Sequence, residues 1–326
     1  MSTVGNVKPA VVPVGKPIRE VSLKTRQTRL AWMMLLPTLV VVALVAMWPL
    51  IQTIYQSFTD ARFNSVTPTS FIGLRNYSDL LKDSLFRSSI GVAVKFAVVT
   101  VICEFLLGLV IALVVNSNFK GRGITRAAML IPWAMITVVS AQMWKFMFDQ
   151  NTGVVNDLLY ARIAPVINTV LPSSHHILTG TPVAWLAQDN TAFWAVCVVD
   201  IWKTSPFVAL LLLAGLQVIP ADVYEAATVD GAGGWQQFTR ITLPLLRPAI
   251  AVTLIFRTLD ALRVFDVFYV MTGTKSTTTT MAIYAYQNLI PFFDYGYGSA
   301  ISVAIFIIIA VFVIAYVTIL KVEEAS

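Results

Sequence analysis

Two stretches of this chain leave little freedom in how it folds: residues 30–59 and residues 299–320 contain no Asp, Glu, Lys, Arg or His. As helices rising about 1.5 Å per residue they extend roughly 30 to 45 Å, enough to cross the ~30 Å hydrocarbon core of a bilayer. The rest of the 326 residues fits that environment, since 57% of the chain is hydrophobic and only 12% is charged. That charged share is about half of what an ordinary globular domain carries. A disordered, fibrous or disulfide-stapled chain is excluded, and a soluble enzyme nearly so. The composition predicts an all-α polytopic membrane protein.

Six transmembrane helices are expected, over residues 30–58, 88–115, 124–148, 191–216, 245–270 and 299–320. The first run is far longer than the ~7–15 apolar residues of a signal peptide, so it reads as a retained span. Before it, residues 1–29 are polar, are interrupted by Pro9, Pro13 and Pro17, and read as a flexible cytoplasmic tail. The fifth span is the least apolar, because Arg257, Asp260, Arg263 and Asp266 place four charges within ten residues. Their three-residue spacing keeps them close on a helix, where they pair rather than face lipid.

The basic residues orient the chain. Twelve of them (Lys8, Lys16, Arg19, Lys24, Arg26, Arg29, Lys120, Arg122, Arg126, Arg240, Arg247 and Lys321) fall in segments that six spans place on one side. The longer opposite segments hold six: Arg62, Arg75, Lys82, Arg87, Arg162 and Lys275. By the positive-inside rule both termini, including residues 321–326, are cytoplasmic. The net charge of +6 therefore marks sidedness, and no basic stripe suggests nucleic acid. Cys103 and Cys197 lie in apolar runs and read as small core residues. His175 and His176 are adjacent in an outer loop, without the spacing of a helical metal site, so no metal is expected.

Residues 217–244 carry the most information. Pro220 suits a first helical turn, and residues 221–229 favour a helix. Gly231, Gly233 and Gly234 permit a reversal, residues 235–241 form a second short helix, and Pro244 is expected to stop it before the next span. A polar loop built this way between spans four and five reads as a docking element for another protein. Its pattern is Glu225-Ala226-Ala227, three residues, Gly231, nine residues, Ile241, one residue, Leu243-Pro244. This matches the "EAA" loop of ABC-importer permease subunits without a departure.

The resemblance extends over most of the chain. Trp202-Lys203-Thr204-Ser205-Pro206-Phe207, the run at 258–266 (Thr-Leu-Asp-Ala-Leu-Arg-Val-Phe-Asp) and Phe71-Ile72-Gly73-Leu74-Arg75-Asn76-Tyr77 resemble the maltose-type carbohydrate permeases, and within them the trehalose-type disaccharide group. It implies a bacterial cytoplasmic-membrane importer in which this chain pairs with a second permease subunit as a heterodimer. Two ATPase subunits would dock on residues 217–244 and bind the ATP and magnesium. An extracytoplasmic binding protein would deliver the sugar. Glu225, Ala226, Ala227, Asp230 and Gly231 are the expected coupling residues. No Gly-x-x-x-x-Gly-Lys-Ser/Thr run occurs here, so the chain is expected to hold no cofactor and to be no enzyme.

The sugar route is expected inside spans four and five. Asp200, Thr204 and Phe207 share one helical face, as do Phe256, Asp260 and Arg263, and both sets correspond to positions lining the sugar site in the resembled family. Carboxylates accept sugar hydroxyls, Arg donates, and aromatic faces stack on sugar rings. This chain departs from the enteric pattern in having charged groups where neutral amides stand. The competing reading is an ion-pair network of Arg257 and Arg263 with Asp260 and Asp266, and of Lys203 with Asp200. Other classes considered are a polyol, glycerol phosphate or oligosaccharide importer, an ion-coupled secondary transporter, and an integral membrane enzyme, for which no catalytic constellation is present.

Overall fold

The computed structural model describes residues 23–63, 68–169 and 181–320; His175, His176, Lys321 and most of the N-terminal tail lie outside them. The described residues are mostly helical, joined by turns and irregular segments, and isolated bridges join Thr59 to Phe71 and Arg62 to Asp294. The helices are α1 (Leu23–Val42), α2 (Trp48–Gln56), α3 (Arg75–Lys82), α4 (Ser84–Asn116), α5 (Arg122–Met129), α6 (Ile131–Ala134), α7 (Thr137–Met147), α8 (Val154–Asn156) and α9 (Ala164–Asn168). They continue as α10 (Asp189–Val218), α11 (Ala221–Val229), α12 (Gly234–Gln237), α13 (Leu243–Leu262), α14 (Asp266–Thr272), α15 (Met281–Leu289) and α16 (Tyr295–Leu320). Among the described residues five helices are long and apolar enough to cross a membrane: Gln27–Gln56, Ser84–Asn116, Asp189–Val218, Gly234–Leu262 and Tyr295–Tyr316.

The third expected span is broken. Arg122–Ala134 and Thr137–Met147 meet at 87° instead of forming the continuous helix expected over 124–148. Met135 and Ile136 are extended at the corner, three residues beyond Pro132 at the start of α6. The expected fifth span, 245–270, is also interrupted: α13 ends at Leu262 and α14 starts at Asp266. Irregular backbone at membrane depth is tolerated where protein or a cavity covers it. At the second break Thr280 does so, since its hydroxyl donates to the Val264 carbonyl at 2.8 Å and caps α15 by accepting from Ile283 N.

Proline placement explains a third feature. Three π-helical turns occur among the described residues, at Ala43–Met47, Asp157–Ile163 and Phe238–Thr242. Each is followed, two residues later, by a proline: Pro49, Pro165 and Pro244. A proline lacks the N–H for the i−4 carbonyl and collides with it, and the wider turn moves that carbonyl aside. Pro244 therefore does not stop the helix as expected; Gly234–Leu262 is one helix through it.

By compactness the chain divides into Met1–Gln52 and Thr53–Ser326. Within the second unit α4 and α10 lie side by side in the same direction and α13 runs against them. Phe96, Ala97 and Val101 meet Val196, Val199, Ala261 and Leu262 in one apolar cluster. Leu109, Ala112 and Val115 meet Val208, Leu212, Leu216 and Leu246 in another. Gly108 allows the close crossing, because a Cβ there would stand 2.5 Å from a Val208 methyl. Between the two clusters, at the same level on all three helices, lie Glu104, Asp200 and Arg257.

Candidate functional site: a charged cavity between three helices

Arg257 organises the site. It is 3% exposed and uses four donor contacts on three carboxylates. Nε donates to Glu104 Oε2 at 2.6 Å and Nη2 to Glu104 Oε1 at 3.0 Å, a bidentate fork from α13 to α4. Nη1 donates to Asp260 Oδ2 at 2.7 Å, and Nη2 reaches Asp200 Oδ2 on α10 at 3.2 Å. Thr204 donates to Glu104 Oε1 at 2.7 Å and also lies against the Asp200 carbonyl. Glu104 is fully buried. An unpaired carboxylate there would be costly, and the guanidinium fork offsets that cost.

The ion-pair expectation is met in part. Arg257 pairs with Asp260, and Arg263 Nη2 lies 3.7 Å from Asp260 Oδ1. Asp266 opens a separate helix, so the regular three-residue spacing does not carry over the break. Asp200 pairs with Arg257 rather than Lys203, whose Nζ points to the Trp133 carbonyl at 3.5 Å.

Beside this network is a cavity of ≈ 210 Å³. Asp200, Thr204, Asp260 and Arg263 line it, together with Lys203, Asp266, Phe265 and Thr137 at the start of α7. It thus sits against both interrupted segments, where α13 ends and α7 begins. Phe207 and Phe256 are not among the lining residues. Phe207 stacks on Trp133 with ring centroids 5.2 Å apart and planes at 11°, and Phe256 is 58% exposed on the outer face of α13. The aromatic wall is supplied instead by Phe265, which stacks on Tyr269 at 5.2 Å and meets Tyr286 at 5.3 Å. A continuous helix would carry position 265 round to another face; the break turns it into the cavity.

Sequence reasoning did not assign Glu104, Phe265 or Thr137 to this site. Glu104 is a lone carboxylate in an apolar run, and its partner lies 153 positions away. No group of three or more His, Cys, Asp or Glu suited to a metal ion occurs among the described residues.

The second candidate region is the helix–turn–helix between α10 and α13. Helix α11 covers the expected 221–229. Its end is a Schellman closure: Ala232 N donates to Ala227 O at 2.8 Å and Gly231 N to Thr228 O at 3.1 Å. Gly231 has φ +80°, the left-handed conformation such a closure needs. Glu225, Ala226 and Asp230 are exposed and Ala227 is half-buried. Apolar side chains project beside them, with Val229 88% and Trp235 75% exposed.

Residues 104–322 match the family described as "Binding-protein-dependent transport system inner membrane component". The chain belongs to this family. It is 43% identical over 299 residues to the trehalose/maltose transport system permease protein of Thermococcus litoralis, covering 90% of this chain and 94% of that one. It is 38% identical to the trehalose transport system permease protein of Mycobacterium tuberculosis, over 89% of this chain and 88% of the relative. It shares the same identity, over 90% and 91%, with a sulfoquinovosyl glycerol transport system permease protein of Agrobacterium fabrum. The fold matches the crystal structure of a bacterial ABC transporter that imports the acidic polysaccharide alginate, with TM-score 0.75 and 23% identity over 92% of this chain and 98% of that one. The resemblance read from the 217–244 loop is thus borne out, and this permease has the fold of an ABC importer's membrane subunit.

Proposed function

We propose that the permease carries a neutral disaccharide such as trehalose or maltose through the Asp200–Asp260–Arg263 cavity by alternating access. The observation that carries this reading is the charge balance of the cavity. Its lining holds three acidic residues, Asp200, Asp260 and Asp266, and three basic ones, Lys203, Arg257 and Arg263. Glu104 behind them adds a further carboxylate to Arg257. Such a site offers donors and acceptors to hydroxyl groups without an excess positive field, which favours a neutral polyhydroxylated solute over an anion. Phe265 offers the apolar face that a sugar ring stacks on. The trehalose and maltose transport named for two of the relatives points the same way.

The cavity is smaller than the ~300–1,000 Å³ usual for an enclosed ligand. This chain accordingly supplies one wall of the route, and a second permease subunit supplies the other. The α11–α12 corner is the docking surface for the ATPase subunits, with Glu225, Ala226, Ala227, Asp230 and Gly231 transmitting their movement to α10 and α13. Energy enters by differential affinity of ATP and of a loaded binding protein for the two states. Residues 217–244, both termini and the ATPases lie on the cytoplasmic side, and the binding protein docks on the other.

The test is ATP hydrolysis by the reconstituted complex with its binding protein and a panel of neutral and anionic sugars. Stimulation by trehalose or maltose supports the reading. Stimulation confined to anionic sugars contradicts it.

A further inference from the structure

The outward face of α4 is apolar over a limited height. Val98, Ile102, Leu106, Val110 and Val114 lie along it, each between 54% and 60% exposed. Their 16-residue separation is about 25 Å of helix, close to the depth of a bilayer's hydrocarbon core. The stripe stops at Lys95, with Gly91 and Ser88 beyond it on the same face. This end is remote from the 217–244 loop. Trp194 of α10, 44% exposed, flanks the same level, as interfacial tryptophans do.

Lys95 takes part in none of the ion pairs found among the described residues. Its ammonium stands 4.4 Å from the centroid of the Phe193 ring and 5.5 Å from that of Trp194. Cation–π contacts hold a charge in place without neutralising it. Beside it opens a cavity of ≈ 420 Å³ lined also by Ser88, Asp189, Asn190 and Thr277. A cation at the top of an exposed apolar stripe, ringed by short polar side chains, has the chemistry of a phosphate receptor at headgroup height.

We propose that this cavity is a phospholipid site: Lys95 holds the headgroup phosphate, Ser88, Asn190 and Thr277 offer further hydrogen bonds, and the acyl chains lie along the Val98–Val114 stripe. Asp189 adds a carboxylate to the same lining. The site therefore prefers a headgroup that carries an ammonium next to its phosphate, such as phosphatidylethanolamine, over a net anionic one.

The experiment is native mass spectrometry of the full chain in its complex, released from nanodiscs of equal phosphatidylethanolamine and phosphatidylglycerol. Wild type retains a phosphatidylethanolamine whose occupancy falls about five- to tenfold in Lys95→Met and is recovered in Lys95→Arg. Asp189→Asn shifts the retained lipid toward phosphatidylglycerol. Unfolding temperatures of the variants, unchanged from wild type, show that the loss is local. Three results each overturn the proposal: equal lipid retention in Lys95→Met, displacement of the lipid by millimolar inorganic phosphate, or quantitative cross-linking of the Val98→Cys variant to the partner permease in place of lipid.

Discussion

The Glu104–Arg257 network and the α11–α12 corner are both built from the few polar residues of an apolar chain, yet they hold their shapes in opposite ways. In the first, three helices converge on one buried guanidinium, and its contacts to Glu104 and Asp200 depend on the packing between helices. In the second, the geometry is written within a dozen consecutive residues, and its charged groups stay exposed. Convergent geometry fixes position rigidly and fails badly when one member is lost. Local geometry tolerates change in the rest of the molecule and leaves its surface free for a partner.

The sharpest way to break this comparison is to remove one member of the buried pair. Glu104→Leu leaves Arg257 without its main counter-charge, and the expected loss is about 3–5 kcal/mol of stability, read as a large fall in unfolding temperature in detergent. Adding Arg257→Met to Glu104→Leu should restore much of that loss, because an apolar pair needs no counter-charge. A double variant as unstable as the single one would show that the network is not a charge pair.

At the corner the expected stability effect is smaller and the functional one large. Gly231→Val puts a β-branched residue at φ +80°, where nothing crowds a Cβ, so backbone strain alone applies. That strain is about 1–2 kcal/mol and confined to the turn. Uptake should fall at least tenfold while the complex still assembles and hydrolyses ATP. Unchanged uptake would remove the corner from the coupling path.

A third region, between the two in character, is sensitive to pH. Asp83 caps α4 through Leu85 N at 2.8 Å and Phe86 N at 3.3 Å, and accepts from Tyr284 and Tyr297. Burial alone would push its carboxyl up, but these hydrogen bonds together hold it below the usual carboxylate range. Burial and the Asp83 bond in turn push the Tyr284 hydroxyl up to about 12. A depressed folded-state value means that the stabilisation is full at neutral pH and is lost as acid carries the pH down through that value, below about pH 4. Tyr284→Phe should cost about 1 kcal/mol at neutral pH and less under acid. A cost independent of pH would argue that the hydroxyl bond to Asp83 is not the source.

The smallest expected effect is at Phe256. The residue is exposed outside the cavity, so Phe256→Ala should leave the KM for uptake within about twofold and stability within about 0.5 kcal/mol. A large rise in KM would restore the residue to the sugar route.

How much of this was legible in the sequence follows from the same contrast. The 221–229 helix and its Gly231 corner could be read directly, because cap, helix and turn lie within one short segment. The spans were legible from uncharged length, while the breaks at 135–136 and 263–265 were not. Proline position alone did not separate Pro132, which precedes a sharp corner, from Pro244, which a π-turn absorbs. Asp200, Thr204, Asp260 and Arg263, grouped by helical spacing, line one cavity. Phe207 and Phe256, grouped with them by the same spacing, do not line it, whereas Phe265 does so because the helix breaks after Leu262. Only packing of α4 against α10 and α13 identifies Arg257 as the partner of Glu104.

The central claim is that the buried network sets what is carried and the corner sets how ATP drives it. The ratio of ATP hydrolysed to sugar transported, measured in the reconstituted complex, tests this most directly. Asp260→Asn should raise the KM for sugar about tenfold, the loss of one hydrogen bond to a charged group, with the ratio unchanged. Gly231→Val should raise the ratio with KM unchanged. Both variants shifting the ratio alike, or neither shifting its own quantity, would contradict the account.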